Sequence, residues 1–142
     1  MEKIYLEKLY GNDEKRILDM IFSDDDLRKT FMGDKNTQSR LINSVYSALI
    51  KKEDIDIGFV MLVENMRTNK YEIDMGILKE YRSKGYGTEA LKILKGIILA
   101  NELDVEIQIK KINIGAIKSV LNNGFTLSKE DVTCNYYGLN KK

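Results

Sequence analysis

The sequence contains no histidine and no proline, and Cys134 is its only cysteine. Without histidine, the Ser–His and Cys–His catalytic pairs cannot be built, and the common zinc sites lose their usual nitrogen ligand. A lone cysteine cannot form an internal disulfide, which fits a reducing compartment and a cytoplasmic location. Cys134 itself reads as a half-buried strand residue, because the usual activating base does not exist in the chain. An excess of one charge is missing too. Lys and Arg number 23 and Asp and Glu 22, a net charge of +1, so composition gives no pull toward nucleic acid or an anionic membrane. The longest apolar runs, such as GIILA, fall far short of a bilayer span, and the start MEKIYLEKLY has no secretory pattern. No repeat or linker-like stretch divides the chain, so its 142 residues are expected to form one domain, 1–142, with a substantial hydrophobic core.

What is present is a succession of short strand and helix patterns. KIYLEKL alternates around Ile4 and Leu6 and predicts a first strand. Asn12 is placed to cap a helix over 13–22, with Ile17, Leu18, Ile21 and Phe22 on one face. Ser23 and Asp26 have capping-box spacing for a short helix through Phe31, with MGDKN following as loop. Residues 38–50 fit either helix or strand, and a strand from about Val45 is favoured because IKKEDID then supplies a hairpin turn. IDIGFVMLV and KYEIDMGIL complete an antiparallel meander. A helix over 88–100 carries Ala90, Leu91, Leu94, Ile97 and Ile98 on one stripe, and DVEIQIK alternates as a strand. Asn113 is placed to cap a helix bearing Ile114, Ile117, Val120 and Leu121, ended by a left-handed Gly124. FTLSK and VTCNYYGL close the chain as strands. The expected class is α/β (α+β): a mixed, mostly antiparallel sheet of about six or seven strands with about three or four helices.

The stretch EYRSKGYGTEALKIL, residues 80–94, concentrates glycine and positive charge between a strand and a helix. A helix start offers unpaired amides and the positive end of the dipole. Gly85 and Gly87 remove side chains that would block a ligand, Arg82 and Lys84 add charge, and Thr88 adds a hydroxyl. This combination suits a pyrophosphate, although a tight strand-to-helix turn would use the same glycines. The nucleoside-triphosphatase loop and the three-glycine dinucleotide fingerprint are both absent.

RSKGYGTEAL resembles the acetyl-CoA pyrophosphate motif of the GNAT superfamily of N-acetyltransferases, R/Q-x-x-G-x-G/A, with Arg82, Gly85 and Gly87 at its marked positions. KINIGAIKSVLNNGF resembles the family's second signature through Asn113, Ala116, Gly124 and Phe125. Together the two span 71–125, and GYGTEAL looks closest to the branch of ribosomal-protein and small-amine acetyltransferases. The resemblance implies a GNAT fold with a V-shaped splay between the strands at 71–78 and 105–109. It implies that acetyl-CoA, as cosubstrate and without a metal, lies along the open strand backbone near Ile77 and Leu78. The amides of Ser83, Lys84, Gly85, Tyr86, Gly87 and Thr88 would take the pyrophosphate. Asn113 would act as cofactor contact, helix cap or both, and Ala116 would keep its helix close to the cofactor.

Acetyl transfer to an amine needs a base for the amine, a donor to the carbonyl oxygen and protonation or other stabilisation of the departing thiolate. Glu72 and Asp74 share a face of the cleft strand and are candidates for base or for orienting a cationic substrate. A backbone N–H near Ile77 or Leu78 is the candidate carbonyl donor. The family's usual tyrosine acid falls at Val120, which cannot donate. Tyr136 and Tyr137 are the substitutes, and alternation turns only one of them toward the cleft. A phenol, with an ordinary pKa of about 10, remains able to donate at neutral pH. The expected partner is an amine on a small molecule or a protein terminus, with no membrane or nucleic acid indicated and a homodimer left open. The rival expectation is a GNAT-fold acetyl-CoA-binding or regulatory protein without transferase activity, which the valine at 120 keeps in view.

Overall fold

The alternating apolar segments pair into a sheet of seven strands in a computed structural model that describes residues 3–34 and 36–139. The strands are β1 (Ile4–Lys8), β2 (Ser44–Lys52), β3 (Ile55–Asn65), β4 (Lys70–Ile77), β5 (Val105–Lys110), β6 (Phe125–Glu130) and β7 (Cys134–Leu139), in the spatial order β1-β2-β3-β4-β5-β7-β6. Helices α1 (Lys15–Phe22), α2 (Asp25–Arg28) and α3 (Thr37–Ile42) precede the meander, while α4 (Tyr86–Ala100) and α5 (Ile114–Asn122) follow it. Every strand pair is antiparallel except β4 with β5, which run parallel.

Period-two alternation divides the apolar side chains between two cores. Val60, Leu62 and Ile73 meet Ala90, Leu91 and Leu94 of α4 and Val120 of α5 on one face. Phe59, Met61 and Val63 meet Ile17, Ile21, Leu27 and Phe31 on the other. Strand β3 is therefore buried on both sides, which explains its near-continuous apolar sequence.

The feature that positions the site is the parallel pair. Strands β4 and β5 are in register only at Tyr71 with Val105 and Glu72 with Glu106. Beyond that point they separate, and the sheet has the expected V-shaped opening. Being parallel, both strands end at the same side of the sheet, so the turn after β4 and the start of α5 after β5 meet at the open end of the gap.

Several local expectations are corrected. Asn12 does not cap a helix over 13–22, because Gly11–Glu14 forms a 3₁₀ turn and α1 begins at Lys15. Asp24, not Ser23, caps α2. Asp24 has the extended backbone that an N-cap requires, whereas Ser23 is still helical at the end of α1 and returns its hydroxyl to the Met20 carbonyl. The chain then widens into a π-turn at Lys29–Asp34, so part of the expected loop is helical. The strand favoured from about Val45 is present as β2 from Ser44, and the undecided stretch before it is the helix α3. Helix α4 starts at Tyr86 rather than 88, behind a left-handed Gly85.

Candidate functional site

The edge of β4 along the gap has a fixed orientation. The Tyr71 amide bonds to the Asp104 carbonyl at 2.8 Å on the β5 side, whereas the Leu78 amide bonds to the Ile57 carbonyl at 2.9 Å on the β3 side. Because backbone groups alternate along a strand, those of Ile73, Met75 and Ile77 turn toward the gap. Of the two amides expected to face a ligand carbonyl, the one at Ile77 is so directed. The Leu78 amide is spent on β3, and its side chain packs with the α1–α3 core.

At the mouth of the gap the chain makes the turn that the glycines suggested. Ser83 and Gly85 both take left-handed backbone, with φ of 61° and 87°. The first turn of α4 closes with the Glu89 amide on the Gly85 carbonyl, and no side chain caps the helix. The amides of Tyr86, Gly87 and Thr88 therefore precede the first intrahelical bond, at the positive end of a helix of 15 residues. A Cβ on Gly87 would meet only Ile77 Cγ1, at 3.8 Å, so the glycine there borders open space rather than a packed neighbour. Ser83 and Lys84 are exposed, while the Tyr86 ring is buried and anchors the helix start in the core. The Thr88 hydroxyl lies 2.7 Å from that of Ser119, tying α4 to α5. Beside this turn runs a groove of about 490 Å³ whose lining includes Gly85, Thr88, Lys92, Lys95 and Asn123. Uncapped amides, bare backbone and nearby lysines fit a phosphate-bearing ligand.

Arg82 stands differently from expectation. Its Nε donates to the Ile77 carbonyl at 2.7 Å, Nη1 to Asp26 at 2.7 Å and Nη2 to Asp24 at 3.0 Å. The charge it was expected to lend the turn is already matched by two carboxylates. Asp24 also accepts the Lys79 amide at 2.8 Å. Burial works to raise the Asp24 pKa, but the Leu27 and Lys79 amides and the Arg82 guanidinium outweigh it and hold the carboxyl below the usual range.

Glu72 and Asp74 do share the α1–α3 face, and sequence reasoning missed what joins them. Arg40 from α3 grips Asp74 through Nε at 2.6 Å and Nη2 at 3.1 Å, and reaches Glu72 through Nη1 at 2.9 Å. The Asp74 side chain is 0% exposed and that of Glu72 is 30% exposed. Asn65 donates to the other Glu72 oxygen at 3.0 Å. Burial pulls the Arg40 pKa down, yet the two carboxylates push it above its ordinary value. Glu106, the register neighbour of Glu72, adds a third carboxylate, 3.8 Å from Lys70.

The two tyrosines point to opposite faces. Tyr136 pairs with Gln108, and its hydroxyl donates to Asp131 at 2.8 Å. That bond, helped by burial, pushes its pKa up to about 12. Tyr137 pairs with Ile107, is buried and belongs to the α4–α5 core with Val120. Its hydroxyl accepts from Asn135 Nδ2 at 3.1 Å, and among the described residues no acceptor takes its proton. Asn135 Oδ1 is buried with no hydrogen-bond partner among the described residues. Asn113 caps α5, its side chain accepting from the Ala116 amide at 3.2 Å, and Ala116 packs against the α4–α5 core. Among the described residues no cluster of three potential metal ligands occurs, and no helix is long and apolar enough to cross a membrane.

A family model described as an acetyltransferase (GNAT) domain matches residues 4–126. Among solved structures, a ribosomal-protein α-N-acetyltransferase in complex with coenzyme A superposes with a TM-score of 0.70 at 11% identity, covering 100% of this chain and 97% of that one. A spermidine/spermine N-acetyltransferase from Vibrio cholerae gives 0.71 at 14% identity, covering 99% and 95%. An acetyltransferase from Bacillus cereus named for IAA gives 0.73 at 12%, covering 96% and 99%. At these identities the likeness is one of fold, and it singles out neither the ribosomal-protein nor the polyamine branch. No curated protein matches the chain.

Proposed function

The chain belongs to the GNAT acetyltransferase family, and from that premise we propose that it is an acetyl-CoA-dependent N-acetyltransferase acting on a primary amine of a small molecule or a protein terminus. One observation carries the reading: the unpaired edge of β4 leads through the turn at 78–85 to the uncapped start of α4, at the open end of the only parallel pair among the described strands. Acetyl-CoA when bound supplies the thioester whose acyl carbon the amine attacks. The amides of the 83–88 turn hold the pyrophosphate, supported by Lys84. The Ile77 amide donates to the carbonyl oxygen. Asn113 and Ala116 keep α5 against the cofactor arm.

Glu72 is the base of choice over Asp74. Its side chain is partly open to water, whereas that of Asp74 is enclosed and held at two points by Arg40. Glu72 takes the amine proton through a water, and Arg40 keeps the carboxylate in place. Tyr137, not Tyr136, gives the proton to the departing sulfur. It lies in the core that also holds Val120, with its hydroxyl proton uncommitted. Tyr136 is turned to the other face and bonded to Asp131. As the new N–C bond forms and the C–S bond breaks, one proton is removed at Glu72 and one is delivered from Tyr137.

A second reading, an acetyl-CoA-binding protein without transferase activity, is favoured by Val120 at the usual acid position and by the guanidinium on both carboxylates. Calorimetry with acetyl-CoA and release of free thiol across a panel of amines, polyamines and peptide N-termini decide between them. Binding with turnover of one class is the expected result. Binding without turnover of any acceptor selects the second reading, and no binding at millimolar acetyl-CoA refutes both.

A further inference from the structure

We infer that Asp24 and Arg82 form a latch that fixes the cofactor turn to α2, and that both act on acetyl-CoA as positioning residues rather than through a charge offered to its phosphates. This rests on the functional reading above, since it concerns the same site.

Every nitrogen of the Arg82 guanidinium is committed inside the protein. Nε holds the Ile77 carbonyl, Nη1 holds Asp26 and Nη2 holds Asp24. Asp24 is equally committed. Its Oδ1 accepts the amides of Asp26 and Leu27 at the start of α2, and its Oδ2 accepts the Lys79 amide at the entry to the turn. Asp24 is 7% exposed, so its charge is kept out of water by design of these contacts. Charge-assisted bonds from separate nitrogens to two carboxylates and a carbonyl fix the orientation of the planar guanidinium as well as its distance. The contacts cross 58 residues of sequence and join three things that no backbone pairing joins: the end of β4, the turn, and the first turn of α2.

Two consequences follow for the cofactor. The Ile77 carbonyl, which faces the gap, already accepts from Arg82, so a ligand N–H there would share that oxygen, whereas the Met75 carbonyl farther up β4 also turns to the gap. In addition, α2 lies on the opposite face of the sheet from α4. The latch therefore links the position of the cofactor turn to the helix that covers Gly76 through Leu27. Occupying one side biases the other, and any such coupling is reciprocal.

The direction of one substitution separates a latch from a direct phosphate contact. Asn is as good an N-cap as Asp, so Asp24→Asn keeps α2 capped through its one oxygen while removing the charge and the acceptor that holds the Lys79 amide. If Arg82 positions the turn, Asp24→Asn and Arg82→Gln each weaken acetyl-CoA binding about tenfold, and the double variant is no worse than the poorer single one, the non-additivity expected of partners in one network. KM for acetyl-CoA rises by the same factor, with little change in kcat. If Arg82 instead serves the phosphates, Asp24→Asn frees it, so binding tightens or stays unchanged and the double variant loses what Arg82→Gln alone loses. Tightened or unchanged binding in the Asp24→Asn single variant overturns the latch. Should Asp24→Asn fail to fold, Asp26→Asn replaces it. That carboxylate is 69% exposed and meets Arg82 at 2.7 Å, and a loss of about two- to threefold that vanishes in the Arg82→Gln background is expected. An unchanged or tightened affinity, or a loss that persists with Arg82→Gln, overturns the latch. Wild-type protein that does not bind acetyl-CoA refutes the functional reading. Wild-type binding with variants that follow the phosphate-contact pattern refutes the latch alone.

Discussion

Replacing Arg40 with methionine should destabilise the protein by about 3 kcal/mol, the usual cost of removing one partner of a buried ion pair. Methionine keeps much of the aliphatic volume, so the change isolates the guanidinium. Arg40 is 21% exposed and the Asp74 side chain 0%, which places the pair within the buried class rather than among surface pairs worth about 0–1 kcal/mol. Three bonds are lost, at 2.6 and 3.1 Å to Asp74 and 2.9 Å to Glu72. For a chain of 142 residues, about 3 kcal/mol corresponds to a fall in Tm of roughly 10 °C. Urea unfolding should show a lower midpoint at unchanged slope. The revealing variant is the double one, Arg40→Met with Asp74→Leu. Removing both partners replaces a charged contact with an apolar one and should recover most of the loss. A single variant within about 0.5 kcal/mol of wild type would refute the buried-pair reasoning. So would a double variant clearly less stable than the single.

Three further outcomes are expected. Gly87→Val should leave the fold within about 1 kcal/mol of wild type, since the nearest atom to its Cβ lies 3.8 Å away, yet weaken acetyl-CoA binding at least about tenfold, or 1.4 kcal/mol; calorimetry showing intact affinity would misplace the cradle. Tyr137→Phe should lower turnover by about 10²–10⁴-fold, the general-acid range, while Tyr136→Phe should stay within about twofold of wild type; full turnover in Tyr137→Phe would remove it from the mechanism and favour unaided thiolate departure. Tyr136 should ionise with a midpoint of about 12, moving toward 10 in Asp131→Asn, as read by ultraviolet titration of its phenolate. Because its folded pKa lies above the unfolded one, its contribution to stability is complete below pH 10 and lost as pH rises through about 12. A midpoint insensitive to Asp131→Asn would contradict the assigned bond.

What the sequence made legible was periodic or local. Alternation in KIYLEKL and DVEIQIK marked β1 and β5, and Asn113 before an apolar stripe marked the cap of α5. Left-handed Gly124 was readable because the helix end demands such a backbone, whereas Gly85 was legible only as bare backbone in a tight turn. The segment 37–52 was legible in its second half, where the strand favoured from about Val45 is β2 from Ser44, but not in its first, where RLINSVYSALI left helix and strand open. Ser23 and Asp24 are both good caps, and only the backbone angle at each decides which one caps α2. The largest omission was the charge network. Arg40 and Asp74 are 34 residues apart, and Arg82 and Asp24 are 58 apart; no short-range pattern joins such pairs. Tyr136 and Tyr137 were known to diverge, but their faces became clear only through register with Gln108 and Ile107.

The separation of β4 from β5 has a consequence for how this sheet manages its own reactivity. A strand edge with unsatisfied amides and carbonyls invites other chains, and proteins blunt such edges with charge or cover. The outer rims here are treated in that way: β1 carries Glu7 and Lys8, and β6 ends in Lys129 and Glu130 with most of its side chains in water. The bare edge is instead inside the sheet, between two parallel strands still joined at Tyr71 and Glu72. Another protein's strand, flanked by its own sheet, is too wide to enter there. A single extended filament fits, and the hazard that edge strands pose elsewhere becomes a filter for thin, flexible ligands.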